Sequence, residues 1–159
     1  MTELETPAVR AAREAGIDFE VTRHGPVGSL EEAAAARGIE PRDLIKTLVL
    51  RRAEDDYLLV LIPGDRKFSW PKVRALLGTN RLSMPDAEVA RRVTGYERGT
   101  ITPFGTSVPL PVVADEHLVG RRVSIGAGAH GAGLTVRGDD IVRLFDTTVA
   151  DISDRPDGP

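Results

Sequence analysis

The chain has 159 residues, 41% hydrophobic and 28% charged, the make-up of one globular domain with a sizeable core and not of a disordered segment. It has no cysteine, which excludes disulfides, thiolate metal sites and a cysteine nucleophile. A net charge of −3 excludes a protein that grips long nucleic acid by bulk attraction, while local arginine pairs (Arg51-Arg52, Arg91-Arg92, Arg121-Arg122) leave room for a small anion or a nucleic-acid tip.

In chain order, Thr6-Pro7 predicts a helix start, a hydroxyl cap followed by proline at the first helical position, with Val9, Ala12 and Ala15 on one face and Gly16 as the stop. Ile17–Val21 alternates apolar and polar residues and predicts a half-buried strand. A turn at His24–Gly28 leads into Ser29-Leu-Glu-Glu32, a capping box that opens an alanine-rich helix to Arg37. Pro41–Leu44 makes a short helical turn. Ile45–Leu50 and Tyr57–Ile62 form a hairpin, the second strand apolar on both faces and therefore central. Ser69 caps a helix with Val73, Leu76 and Leu77 inward and Gly78 at its end. A further helix starts at Pro85. Val108–Ala114 contains prolines and predicts an edge strand. Arg121–Ile125 and Leu134–Val136 are strands around a glycine-rich turn, Asp139–Phe145 is a helix and Thr147–Ile152 a last strand. Helices interrupt the strands irregularly, which predicts a mixed α+β fold over a doubly wound parallel sheet. One domain over residues 1–153 and a flexible tail over 154–159 are expected. The start, Met-Thr-Glu-Leu-Glu-Thr-Pro, has neither the basic start nor the apolar run of a signal peptide. No stretch reaches the roughly 20 apolar residues of a membrane span, so a cytoplasmic protein with no membrane contact is expected.

Thr94–Gly105 is long and rich in glycine and proline, a make-up found more often in functional connections than in idle ones. Its backbone can present N–H groups to an anion or an oxyanion, although an ordinary surface loop has the same composition. Gly126-Ala-Gly-Ala-His-Gly131 matches a dinucleotide fingerprint, but strand and not helix follows it, so that reading fails. His24, His117 and His130 lack metal-ligand spacing; no metal and no cofactor are expected. His24 and His130 lie in glycine-flanked loops and either merely face solvent or meet a ligand. No serine has the context of a hydrolase nucleophile. Lys46, at a strand start, is either an edge charge or a cation held at the lip of a pocket.

In combination these residues resemble the YbaK/ProX family, relatives of the editing domain inserted in bacterial prolyl-tRNA synthetases. The likeness runs from Pro7 to about Ile152. It rests on Lys46-Thr47-Leu48, on the loop Gly95-Tyr96, Gly99, Pro103 and Gly105, on Gly128 and Gly131, and on the turn with His24 and Pro26. The resemblance implies a mostly antiparallel sheet curved toward a barrel with helices around it. It implies trans-editing: hydrolysis of the ester that joins a wrong, small amino acid (alanine, cysteine or serine) to tRNA. The partners implied are the aminoacylated 3′ end and an aminoacyl-tRNA synthetase. Lys46 is implied as the catalytic residue, holding a phosphate or carbonyl oxygen. The backbone of Gly99 to Gly105, with Phe104, would hold the ester and terminal adenosine, and His130 with Gly128 and Gly131 would line the amino-acid pocket. Substrate contact is also implied for His24, Ser29, Thr47, Gly95, Tyr96 and Pro103. His130 stands where cysteine editors often carry arginine, closer to the domains that edit alanine. The alternative is a non-catalytic accessory module that binds a tRNA end or aminoacyl group.

Overall fold

The computed structural model describes residues 4–156; residues 1–3 of the expected leaderless start and 157–159 of the expected tail lie outside the described residues. Thr6 caps α1 (Pro7–Glu14): its hydroxyl accepts from the Val9 amide at 3.1 Å and donates to the Ala127 carbonyl at 2.7 Å, tying the helix to the glycine-rich turn. β1 (Glu20–Arg23) begins later than the alternation predicts: its ladder starts at Glu20, opposite Thr135. Ile17 and Phe19 still pack on the core. Ser29 caps α2 (Leu30–Ala36), accepting from the Glu32 amide at 3.1 Å. The Glu32 carboxylate closes on the Gly28 amide at 2.7 Å, one residue before the one the capping box predicts.

After a 3-10 turn at Pro41–Asp43 come β2 (Ile45–Ala53) and β3 (Asp56–Pro63), the expected hairpin. β3 is buried on both faces, as its sequence predicts: Leu59 and Leu61 enter one apolar cluster, Leu58, Val60 and Ile62 the other. β4 (Lys67–Phe68) precedes α3 (Trp70–Leu77), which points Val73 inward but leaves Leu76 39% exposed, against expectation. Leu77 packs with Val73 on the second apolar cluster and Leu76 does not. α4 (Ala87–Thr94) follows, capped by Asp86.

β5 (Val112–Asp115) corrects the expected edge strand. It lies between β3 and β8 (Thr148–Ala150), parallel to both. Pro109 and Pro111 precede it, so no ladder donor is lost, and the Pro111 carbonyl accepts from Leu59 N–H at 2.9 Å. β6 (Arg122–Gly126), β7 (Ala132–Arg137) and α5 (Gly138–Leu144) stand near their predicted places. Asp154, assigned to the tail by sequence, is strand: β9 (Ser153–Asp154) pairs antiparallel with β4.

The sheets run β1-β7-β6 and β2-β3-β5-β8, and a bridge between Leu44 and Ser124 joins them at the open edge of β2. Among the described residues four ladders are antiparallel and two parallel, so the expected mixed, mostly antiparallel α+β architecture is the observed one. No described helix is long and apolar enough to cross a membrane.

Candidate active site

Where the two sheets meet, the open edge of β2 faces α2, the turn before it, the loop after α4 and the β6–β7 turn, and a cavity of about 480 Å³ opens between them. That volume falls in the range of small-molecule sites. Arg51 exchanges both backbone hydrogen bonds with Ser83 across the outer edge of β2, at 2.8 and 3.0 Å. Ladder groups alternate, so Thr47 and Val49, which line the cavity, also turn their N–H and C=O away from β3.

The glycines of the β6–β7 turn make the close approaches that shape this cavity. A Cβ at Gly126 would lie 2.4 Å from the Ile101 carbonyl, and one at Gly131 would lie 2.7 Å from the His24 carbonyl. A Cβ at Gly128, where φ is +81°, would sit 2.7 Å from the Tyr96 ring. The fingerprint-like spacing therefore serves packing against the 94–105 loop, whose Thr100 carbonyl accepts from Gly128 N–H at 3.1 Å.

Of the residues expected at the site, His24, Ser29, Lys46, Thr47, Gly99, His130 and Gly131 line the cavity together. The Lys46 ammonium is half-buried and donates to the Arg66 carbonyl at 2.9 Å. Burial lowers its pKa, opposed by the carboxylates of Asp65 and Glu31. Its other two N–H bonds stay available. Thr47 Oγ1 is the one buried side-chain polar atom without a hydrogen-bond partner among the described residues. His130 is at the mouth, its Nε2 2.9 Å from the exposed Glu97 carboxylate.

Gly95, Tyr96, Pro103, Phe104, Gly105 and Gly128 do not line the cavity; the structure gives them packing contacts behind it. Tyr96 is buried, donates to the Phe104 and Gly105 carbonyls at 2.7 and 3.1 Å, and burial pushes its phenol up to about 12. Phe104 is buried edge-on against Phe145, Gly105 abuts the Pro7 carbonyl and Gly95 ends α4. Tyr96 and Phe104 thus sit in the main apolar cluster and support the loop from beneath.

Sequence reasoning missed Arg37. Its guanidinium donates to His24 Nε2 at 3.3 Å, Ser124 Oγ at 3.0 Å and the Ala132 carbonyl at 3.1 Å, and burial lowers its pKa. Arginine only donates, so His24 accepts at Nε2 and carries its proton at Nδ1, 2.9 Å from the Gly25 carbonyl. The guanidinium lies over Gly133, where a Cβ would come within 2.7 Å of it. The glycine was the available signal, but only the fold pairs the two. Also missed were Arg98 and the apolar lip of Val27 and Met84, 39% and 45% exposed, which line the same cavity.

A family model described as an aminoacyl-tRNA editing domain matches residues 24–144. The proline–tRNA ligase of Heliobacterium modesticaldum is 36% identical over 107 residues, 67% of this chain and 18% of the ligase. That of Geotalea daltonii is 34% identical over 125 residues, 78% of this chain and 21% of the ligase. The chain thus spans about a fifth of the length of these curated relatives. A crystal structure provisionally described as a trans-editing enzyme for prolyl-tRNA synthetase superposes with a TM-score of 0.85 at 28% identity, covering 96% of this chain and 99% of that one.

Proposed function

Because the chain belongs to the aminoacyl-tRNA editing domain family, we propose that it is a deacylase that hydrolyses the ester of a tRNA mischarged with a small amino acid. The likeness to proline–tRNA ligases favours tRNA for proline as the carrier. The observation that carries the reading is a single cavity in which a half-buried ammonium, Lys46, adjoins an unpartnered hydroxyl, Thr47, and an open strand edge.

An aminoacyl ester is already activated, so orienting it and stabilising one oxyanion accomplishes much of the catalysis, each oxyanion donor contributing roughly 10²–10³ in rate. Water adds to the carbonyl carbon, the bond from that carbon to the ribose oxygen breaks, and the ribose hydroxyl leaves with a proton. No protein nucleophile takes part. Lys46 binds the carbonyl oxygen or the terminal phosphate with its two remaining N–H groups. The Thr47 hydroxyl and the outward amides of Thr47 and Val49 hold the polar atoms of the aminoacyl group. Arg98 supplies charge for the tRNA backbone at the mouth, and Val27 and Met84 cover the terminal nucleoside. Leu30, Ala33, Leu44 and Ile101 give the interior an apolar wall, which suits alanine better than serine.

Single-turnover deacylation of tRNA for proline carrying alanine, serine, cysteine or proline tests this. Release of the alanyl ester faster than the others, and its loss in Lys46→Ala at unchanged thermal stability, is the expected result. Tight binding of the charged 3′ end without release of any amino acid would establish the non-catalytic binding module instead.

A further inference from the structure

The Lys46 ammonium is held by a chain of hydrogen bonds that runs through Arg66 and Ser153 to Asp115. Lys46 Nζ donates to the Arg66 carbonyl at 2.9 Å. The Arg66 guanidinium forks onto Ser153, Nε to Oγ at 2.7 Å and Nη2 to the carbonyl at 3.3 Å. Ser153 Oγ in turn donates to Asp115 Oδ2 at 2.7 Å. Ser153 and Asp115 are both fully buried. Asp115 is saturated: it also accepts from the Ile152 amide at 3.2 Å, from the His117 amide at 3.0 Å and from His117 Nδ1 at 2.5 Å.

The arrangement is not a hydrolytic triad. The serine hydroxyl donates its hydrogen bond to the carboxylate, and the imidazole contacts that carboxylate and not the serine, so the serine–histidine pair of a triad is missing. A buried, fully satisfied polar network has a different use: it fixes one geometry. Here the part it fixes is the loop after β3, because Arg66 is fastened at its guanidinium and offers its carbonyl to Lys46. The strap that does the fastening, 151–154, is doubly secured. Ser153 pairs with Phe68 across β4 and β9, and Lys72 Nζ donates to Asp151 and to the Ser153 carbonyl. Ser153 lies beyond residue 144, where the family match ends.

We propose that Arg66, Ser153 and Asp115 are positioning residues: they set the Arg66 carbonyl, which aims the Lys46 ammonium into the cavity. This inference rests on the role proposed above for Lys46. A long, flexible lysine left without that acceptor would sample several rotamers, and only a fraction of them would serve the ester.

The test reads Lys46 itself. The chain has three lysines, Lys46, Lys67 and Lys72, so competitive labelling by a succinimidyl ester followed by mass spectrometry reports each one, with exposed Lys67 as the internal reference. Ser153→Ala, and independently Arg66→Met, should raise the Lys46-to-Lys67 labelling ratio roughly fivefold, the worth of one hydrogen bond, and lower kcat/KM for alanyl-tRNA deacylation by a similar factor. Arg66 is only partly buried, so its variant folds even where loss of the Ser153 hydroxyl is not tolerated. An unchanged ratio in the folded variants overturns the proposal. So does a raised ratio with full deacylation. If the wild-type protein deacylates nothing, the functional reading fails, and the labelling ratio alone decides whether the clamp exists.

Discussion

Replacing Thr47 by valine should make the free protein more stable and the enzyme worse, two effects of opposite sign from one atom. Valine has the shape of threonine, suits a β-strand at least as well, and removes only the hydroxyl. Thr47 Oγ1 is buried with no partner among the described residues, so folding strips its water and returns no hydrogen bond. An uncompensated hydroxyl costs about 1–3 kcal/mol. Taking the low end, because Thr47 as a whole is half-buried and not sealed, Thr47→Val should gain about 1 kcal/mol, a rise of about 2–4 °C in the thermal midpoint for a domain of this size. The hydroxyl persists, on the present reading, because the aminoacyl group satisfies it. Single-turnover deacylation should then fall by roughly tenfold, one hydrogen bond to the substrate. Calorimetry and deacylation on the same preparation provide both readings. A lower thermal midpoint would mean that the hydroxyl is already satisfied in the free protein. Full activity would remove it from the substrate contacts.

Gly133→Ala drives a methyl group into the Arg37 guanidinium, which is the movable end of a side chain, so stability should fall by only about 1 kcal/mol while the bonds to His24 and Ser124 break; a large loss of deacylation with a small shift in urea midpoint is expected. Gly128→Ala has no such escape: at φ +81° it strains the backbone and meets the buried Tyr96 ring, so a loss of about 2–4 kcal/mol by urea unfolding is expected, and a value below 1 kcal/mol would refute the tight fit. Burial alone would raise the Asp115 carboxyl, but the Ser153 hydroxyl, the His117 amide and ring and the Ile152 amide hold it below the ordinary carboxylate value. A depressed folded-state pKa contributes stability that is complete above the unfolded value, about 4, and is lost as pH falls through the folded one. The stability gap between wild type and Asp115→Asn should therefore be constant from neutrality to about pH 4 and narrow below it; a gap independent of pH down to acid unfolding would contradict this.

The sequence by itself determined what depends on near neighbours. Caps at Thr6, Ser29 and Ser69 needed only a hydroxyl three residues before an amide, and each forms. The doubly buried β3 follows from its unbroken apolar run, and the β2–β3 hairpin from the turn between two such runs. The motifs also brought Lys46, Thr47, Gly99, His130 and Gly131 to attention before their meeting place was known, and one cavity holds them all. What the sequence could not decide is what depends on partners far along the chain. Val112–Asp115 became an interior strand because β8 arrives from 33 residues beyond Asp115 to pair with it, as the register Asp115 to Ala150 records. Tyr96 and Phe104 belong to a loop motif that reads as a ligand loop, yet their rings are drawn inward by the main apolar cluster, since an aromatic ring gains more from burial than from the rim of a pocket. In the sequence Arg37 reads only as the end of an alanine-rich helix. It joins the cavity only because Gly133, Ser124 and His24 come together around it from three other segments, and a desolvated guanidinium requires such acceptors wherever it is found.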